Sequence, residues 1–299
     1  MFLAAAPERA GARPKPAIVL DASDTPSHIA AMANPARARR ASSTQKSEWR
    51  ETLVFLVKLA LFVFVIRSFL FSPFVIPSGS MLPRTLIGDY LFITKWNYGY
   101  SRHSLPLSLP LIPGRILPST PERGDVAVFK APPADNEDWI KRVIGLPGDT
   151  IQMRGGQLIL NGRAVPKQRI ADFVLPVTPN FGCEAVFQDD DAEGRPICRY
   201  PQYRETLPGG RSYLVLDQGF SPADDTGVFT VPAGHVFMMG DNRDDSKDSR
   251  FADSIGFVPL ENLQGKAVVT FWSTDGSASW LKPWTWPGAT RWSRIGEGF

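Results

Sequence analysis

Three segments of this 299-residue chain carry side chains whose types and spacing could do covalent chemistry. The first is Pro77-Ser78-Gly79-Ser80-Met81-Leu82-Pro83. Small residues between two prolines make a rigid, exposed turn. A serine hydroxyl held there can meet a substrate carbonyl while a neighbouring hydroxyl and a backbone N–H face the developing oxyanion. Alone, such a turn is more often only a turn. The second segment is Trp139-Ile140-Lys141-Arg142-Val143-Ile144-Gly145. A serine nucleophile needs a base, and lysine can serve if burial lowers its pKa from about 10.4 toward neutrality. Alternation along a strand puts Lys141 on one face with Val143, and Ile140 on the other with Arg142. An outward lysine on an edge strand is the plainer reading of this fact alone. The third segment runs from Gly240-Asp241-Asn242-Arg243 through Asp244-Asp245-Ser246-Lys247 to Asp248-Ser249-Arg250. It reads as a solvated or cation-binding loop, but it lacks the glycine and the closing glutamate of an EF-hand.

Other chemistries have less support. The histidines are His28, His103 and His235, in the tail, in a Pro/Ser/Leu loop and at the start of an apolar strand. Nothing groups them into a Ser-His-Asp triad or a His-rich metal site, and neither a metal nor a cofactor is expected. The 33 basic and 30 acidic residues give a net charge of +3, too balanced to suggest a nucleic-acid partner. The two cysteines, Cys183 and Cys198, are close in sequence. In an exported domain they are expected to be bridged; two unrelated buried thiols are the alternative.

Several elements must hold these segments. Residues 1–50 are rich in Ala, Pro, Ser and Arg, lack periodicity, and read as a disordered basic tail. An apolar run from Thr52 to Ile76, interrupted by Lys58 and Arg67, is long enough to cross a bilayer. The transmembrane helix is placed at 51–72, and Pro73 and Pro77 end it. Five bases between Arg37 and Arg50 put the N-terminus in the cytoplasm and the rest on the far side of the membrane. Residues 73–299 read as mainly β. Short runs rich in β-branched and aromatic residues are separated by Gly and Pro, with hairpin turns at Gly155-Gly156 and Asn161-Gly162. Residues 101–122 and about 176–211 read as loops or insertions. Trp280, Trp284, Trp286 and Trp292 suit a membrane interface.

Taken together and in order, the three segments resemble the boxes of bacterial type I signal peptidases (leader peptidases), a Ser/Lys-dyad serine protease family. The likeness extends to Ile87-Gly88-Asp89-Tyr90, Arg123-Gly124-Asp125-Val126 and Gly145-Leu146-Pro147-Gly148-Asp149, and covers roughly residues 50–272. It implies one N-terminal transmembrane helix followed by a mostly antiparallel β catalytic domain with loop insertions. It implies Ser80 as nucleophile, Lys141 as base, Ser78 as the oxyanion hydroxyl and Ser246 as the group that orients the lysine. Asp248 with Arg250, and Asp241 with Arg142, would be structural pairs beside the site. Phe74, Ile76, Met81 and Ile140 would wall shallow pockets for small side chains. The implied substrates are secretory preproteins, cut after a small-x-small motif in their signal peptides. The implied location is the bacterial inner membrane, on the periplasmic side and near the protein translocon, with an apolar surface lying on the bilayer. Arg84 departs from the pattern, since many members have threonine there. A pilin-processing peptidase shares the chemistry, but the full Gly240–Arg250 box argues against it. A self-cleaving repressor would need a DNA-binding helix pair, and none is visible. A catalytically dead tethered binding protein would lack Ser80 or Lys141.

Overall fold

The computed structural model describes residues 35–279 and 281–299, with side chains from Glu48 onward. His28, Trp280 and residues 1–34 of the expected tail lie outside the described residues. A continuous helix, α1, spans Pro35–Val65, so it begins inside the segment expected to be disordered. It closes in a π-helical turn, Ile66–Leu70. The helical stretch Glu48–Leu70 is 23 residues, and its most apolar 18-residue window has a mean hydropathy of 2.5. At 1.5 Å per residue that is about 35 Å, enough to cross a bilayer. Its Leu, Val and Phe side chains stand exposed, as suits an element whose solvent is lipid. Phe71 and Ser72, expected within the helix, instead begin a strand.

Downstream, the chain is β. The main sheet contains β1 (Phe71–Val75), β2 (Asp89–Thr94), β3 (Val126–Lys130), β4 (Asp138–Gly145), β5 (His235–Met239), β6 (Val258–Pro259) and β7 (Leu263–Ser273). Their order is β1-β2-β7-β3-β4-β5-β6, and each neighbouring pair is antiparallel. β4 lies inside the sheet, so the edge-strand reading of Lys141 does not hold. Both faces of β4 are covered. Ile140 packs with Ile76, Met81, Leu91 and Val126. Val143 packs with Phe129, Val236 and Met238. Ile144 packs with Ile151, Leu158 and Phe237. That burial on two sides explains why β4 reads as nearly continuous apolar sequence around two cations.

A second sheet carries the two anticipated hairpins. Thr150–Arg154 pairs with Gln157–Leu160, and Gln157–Leu160 pairs with Arg163–Ala164. Gly155, Gly156, Asn161 and Gly162 all have positive φ, as two-residue turns of this kind require. The 176–211 stretch is not a bare loop. It contains Gln188–Asp190, Pro196–Tyr200 and Gln202–Thr206 in two three-stranded sheets. Cys183 and Cys198 are disulfide-bonded there. Cys198, Phe181 and Tyr200 pack with Leu82 and Leu86, so this stretch forms the floor beneath the Ser78–Pro83 turn.

Candidate active site

The turn from Ser78 to Pro83 sits between the floor just described and β4. Met81, wholly buried, anchors it in the cluster shared by Ile76 and Ile140. The turn closes on itself through Leu82 N–H donating to the Gly79 carbonyl at 3.0 Å. The Gly240–Arg250 loop clamps it from the other side. Asn242 donates its backbone N–H to the Ser80 carbonyl at 3.1 Å and its side-chain amide to the Gly79 carbonyl at 3.2 Å. Ser80 is thereby pinned on both flanks. Its own N–H has no acceptor among the described residues.

Lys141 reaches this turn from β4. Its Nζ donates to Ser80 Oγ at 2.6 Å. Only 4% of Lys141 is exposed. Burial pushes its ammonium down from 10.5 to about 8, while Asp248, Asp241 and Asp245 pull the other way. A neutral amine beside a serine hydroxyl can take that hydroxyl's proton. Ser78 Oγ lies 3.5 Å from Ser80 Oγ, on the same side of the turn. Ser246 lines the same cleft, and its buried Oγ has no hydrogen-bond partner among the described residues. The structure therefore brings Ser246 to the site without showing the expected contact with Lys141.

The cleft has a volume of about 960 Å³, and its walls include Phe74, Ile140 and Trp139. Ile76 and Met81, expected as walls, lie behind it in the core. Among the described residues no histidine lines it. His103 is buried in its own loop and bonds Ser108, while His235 bonds the Ala233 carbonyl. Among the described residues no group of His, Cys, Asp and Glu could hold a metal ion. Arg84 turns away from the dyad to pair with Glu297 at 2.9 Å.

Both expected ion pairs form, each buried. Arg142 grips Asp241 with two bonds of 2.7 and 2.5 Å and also donates to the Gly124 carbonyl. Asp248 bonds Arg250 twice at 2.9 Å and accepts the Gly240 N–H at 3.0 Å. Arg123 reaches Asp149 at 2.6 Å, joining the Arg123–Val126 and Gly145–Asp149 boxes. A third pair was not anticipated. Arg243 makes a two-bond pair with Glu205, 2.7 and 2.5 Å, and Tyr213 Oη donates to the same carboxylate at 2.6 Å. The Tyr213 ring lies under the Arg142 guanidinium, 4.4 Å away. Glu205 comes from the supposed insertion. Gln202–Thr206 carries no apolar alternation to signal its strand, and no local pattern pairs its glutamate with an arginine in the polar loop.

Gly240 is required by this packing. A Cβ there would sit 2.2 Å from Ser246 Oγ and 2.6 Å from the Ser80 carbonyl oxygen.

Comparison with known proteins shows the family. The chain matches the family described as signal peptidase, peptidase S26, over residues 49–272. It is 35% identical to a signal peptidase I of Rickettsia typhi over 82% of this chain and 91% of that protein. It is 37% identical to a signal peptidase I of Rickettsia canadensis over 81% and 90% respectively. A solved signal peptidase I from Enterococcus faecalis V583 shares 25% identity over 50% of this chain and 97% of that chain, with a TM-score of 0.26, too low to bear on the fold. With most of its length covered at this identity, the chain belongs to the signal peptidase, peptidase S26, family of serine peptidases.

Proposed function

We propose that the chain is a membrane-bound endopeptidase that removes N-terminal signal peptides from exported preproteins after a small-x-small motif, through a Ser80/Lys141 dyad. The observation that carries this is the 2.6 Å contact between Lys141 Nζ and Ser80 Oγ, with the lysine desolvated. Family membership supplies the substrate class.

Ser80 Oγ attacks the scissile carbonyl as its proton passes to neutral Lys141. Ser78 Oγ and the Ser80 N–H face the oxyanion. Collapse breaks the C–N bond, and Lys141 returns the proton to the departing amine, leaving an acyl-enzyme. Water then gives a proton to Lys141 and attacks the ester, and Ser80 leaves with that proton. Arg142–Asp241 and Asp248–Arg250 are positioning pairs that hold the loop around the dyad. Ser246 orients Lys141 as it cycles between charged and neutral forms. Phe74 and Ile140 narrow the cleft, with Ile76 and Met81 filling the space behind them, which favours small side chains at the cut. β1 lies at the edge of the main sheet, where an extended peptide can add as a strand.

The anchor is the Glu48–Leu70 helix, with a cytoplasmic N-terminus by its flanking bases and residues 73–299 on the outer side of the inner membrane, beside the translocon. Phe71, Val75 and Trp96 stand exposed next to the helix end, which suits contact with the bilayer. The test is to incubate the purified full chain in detergent with a preprotein and sequence the new N-terminus. Cleavage should follow the small-x-small motif, fail when either small residue becomes leucine, and fail in Ser80→Ala. Wild-type-like cleavage by Ser80→Ala would overturn the assignment.

A further inference from the structure

A second cavity lies on the other side of Phe74 and Asp138, which line both it and the Ser80 cleft. Its volume is about 100 Å³, far below what a drug-sized ligand needs, and its walls are polar. Three cations line it, Arg67, Lys95 and Lys130, against one carboxylate, Asp138. That carboxylate is already engaged by Lys130 at 2.8 Å and by the Gln264 amide. Lys95 is the informative residue. It is 97% removed from solvent (3% exposed), yet among the described residues its ammonium donates to a single acceptor, the Ser104 carbonyl at 3.2 Å. Burial pushes it down to about 8, with Asp138 opposing. A buried ammonium with donors to spare, facing a cavity, lacks its counter-charge. The Arg67 guanidinium has no partner among the described residues. His103 closes one wall in its neutral form. Its Nε2 accepts from Arg102 Nε at 3.1 Å, which leaves the proton on Nδ1, 3.1 Å from Ser108 Oγ.

The rim adds a second signal. Leu107 and Ser108 are consecutive non-glycine residues with φ of 58° and 51°, a conformation that costs energy and has to be held by its surroundings. Leu107 is thrust outward, 94% exposed, and Leu111 beyond it is 70% exposed. Arg67 belongs to the last turn of the apolar helix. Cationic cavity, leucine lip and membrane-helix end thus converge.

We propose that this cavity binds a phosphate group of net negative charge, held by Lys95, Arg67 and Lys130. An anionic lipid headgroup whose chains pass over Leu107 and free phosphate share that chemistry, and the lip predicts that the lipid binds more tightly. The full-length protein in non-ionic detergent is titrated separately with dihexanoyl-phosphatidylglycerol, inorganic phosphate and dihexanoyl-phosphatidylcholine, and the thermal midpoint is followed. The expected result is a saturable rise with phosphatidylglycerol, with an apparent Kd weakened at least tenfold in Lys95→Met and in Arg67→Gln. A rise with phosphatidylglycerol alone assigns a lipid headgroup. An equal rise with inorganic phosphate keeps the phosphate site and removes the lipid. Arg67→Gln changes an exposed side chain and guards against a folding defect in Lys95→Met. No rise with either anion, a rise that survives in both variants, or equal rises with the zwitterionic lipid would overturn the proposal.

Discussion

Replacing Lys141 with methionine should abolish cleavage and yet stabilise the protein at neutral pH. Burial lowers the folded-state pKa from 10.5 to about 8. At pH 7 about one Lys141 in ten is then neutral, against about one in 3,000 for a free lysine, a gain of about 300-fold in neutral amine. The same shift opposes folding. Below about pH 8 both folded and unfolded chains carry the proton, and the folded one bears the full cost, about 3 kcal/mol. The cost shrinks between pH 8 and 10.5, where the unfolded chain binds more protons, and is absent above. Methionine keeps most of the apolar stem and removes the charge, but it also removes the bond to Ser80, a loss of about 1 kcal/mol. The net gain at pH 7 is about 2 kcal/mol, or a thermal midpoint about 4–8 °C higher. Melting in detergent at pH 7 and pH 10, with kcat/KM of the wild type from pH 6 to 9, tests both halves. Wild-type kcat/KM should rise about tenfold per pH unit and level off near pH 8. A methionine variant that melts below the wild type at pH 7, a gap that does not close by pH 10, or a flat rate profile would refute the reasoning.

Three other substitutions separate the parts of the site. Gly240→Ala forces a methyl group against Ser246 and the Ser80 carbonyl, so cleavage should fall at least a hundredfold and stability by about 2 kcal/mol, measured by peptide cleavage and melting. Glu205→Gln leaves the Arg243 guanidinium buried without its counter-charge and should destabilise by about 3–5 kcal/mol; an unchanged melting midpoint would show the pair to be dispensable. Replacing Cys183 and Cys198 with serine opens a loop of 15 residues and should cost about 3 kcal/mol while cleavage at low temperature persists, with non-reducing mass spectrometry reporting the bridge in the parent protein.

Much of this protein was legible in its sequence, because the information is local. A mean hydropathy of 2.5 over an 18-residue window needs no partner to be read as a membrane-length helix. Gly155-Gly156 and Asn161-Gly162 specify their turns because φ > 0 is costly for most other residues. The Ser80, Lys141 and Gly240–Arg250 segments were recognisable by residue type and order. What local pattern misread also has a local cause. The helix extends back to Pro35 although the stretch before Glu48 has no apolar face to signal it. The 176–211 stretch looked like an insertion because its strands are short and mixed in polarity.

Tertiary structure decided whether the chemistry was possible. Ser80 and Lys141 are 61 residues apart, and only the packing of Ile76, Met81 and Ile140 into one cluster brings the hydroxyl and the amine to hydrogen-bond distance. The desolvation of Lys141 likewise belongs to no segment. It arises because β4 lies inside the sheet with both faces covered, which β4's own sequence could not distinguish from an edge. Glu205 shows the same limit: a charge 38 residues from Arg243 becomes its partner only once the intervening strands have folded. Residue types set which groups could react. Burial and contacts between distant segments set their charge state and geometry, and those depend on every strand packed around them.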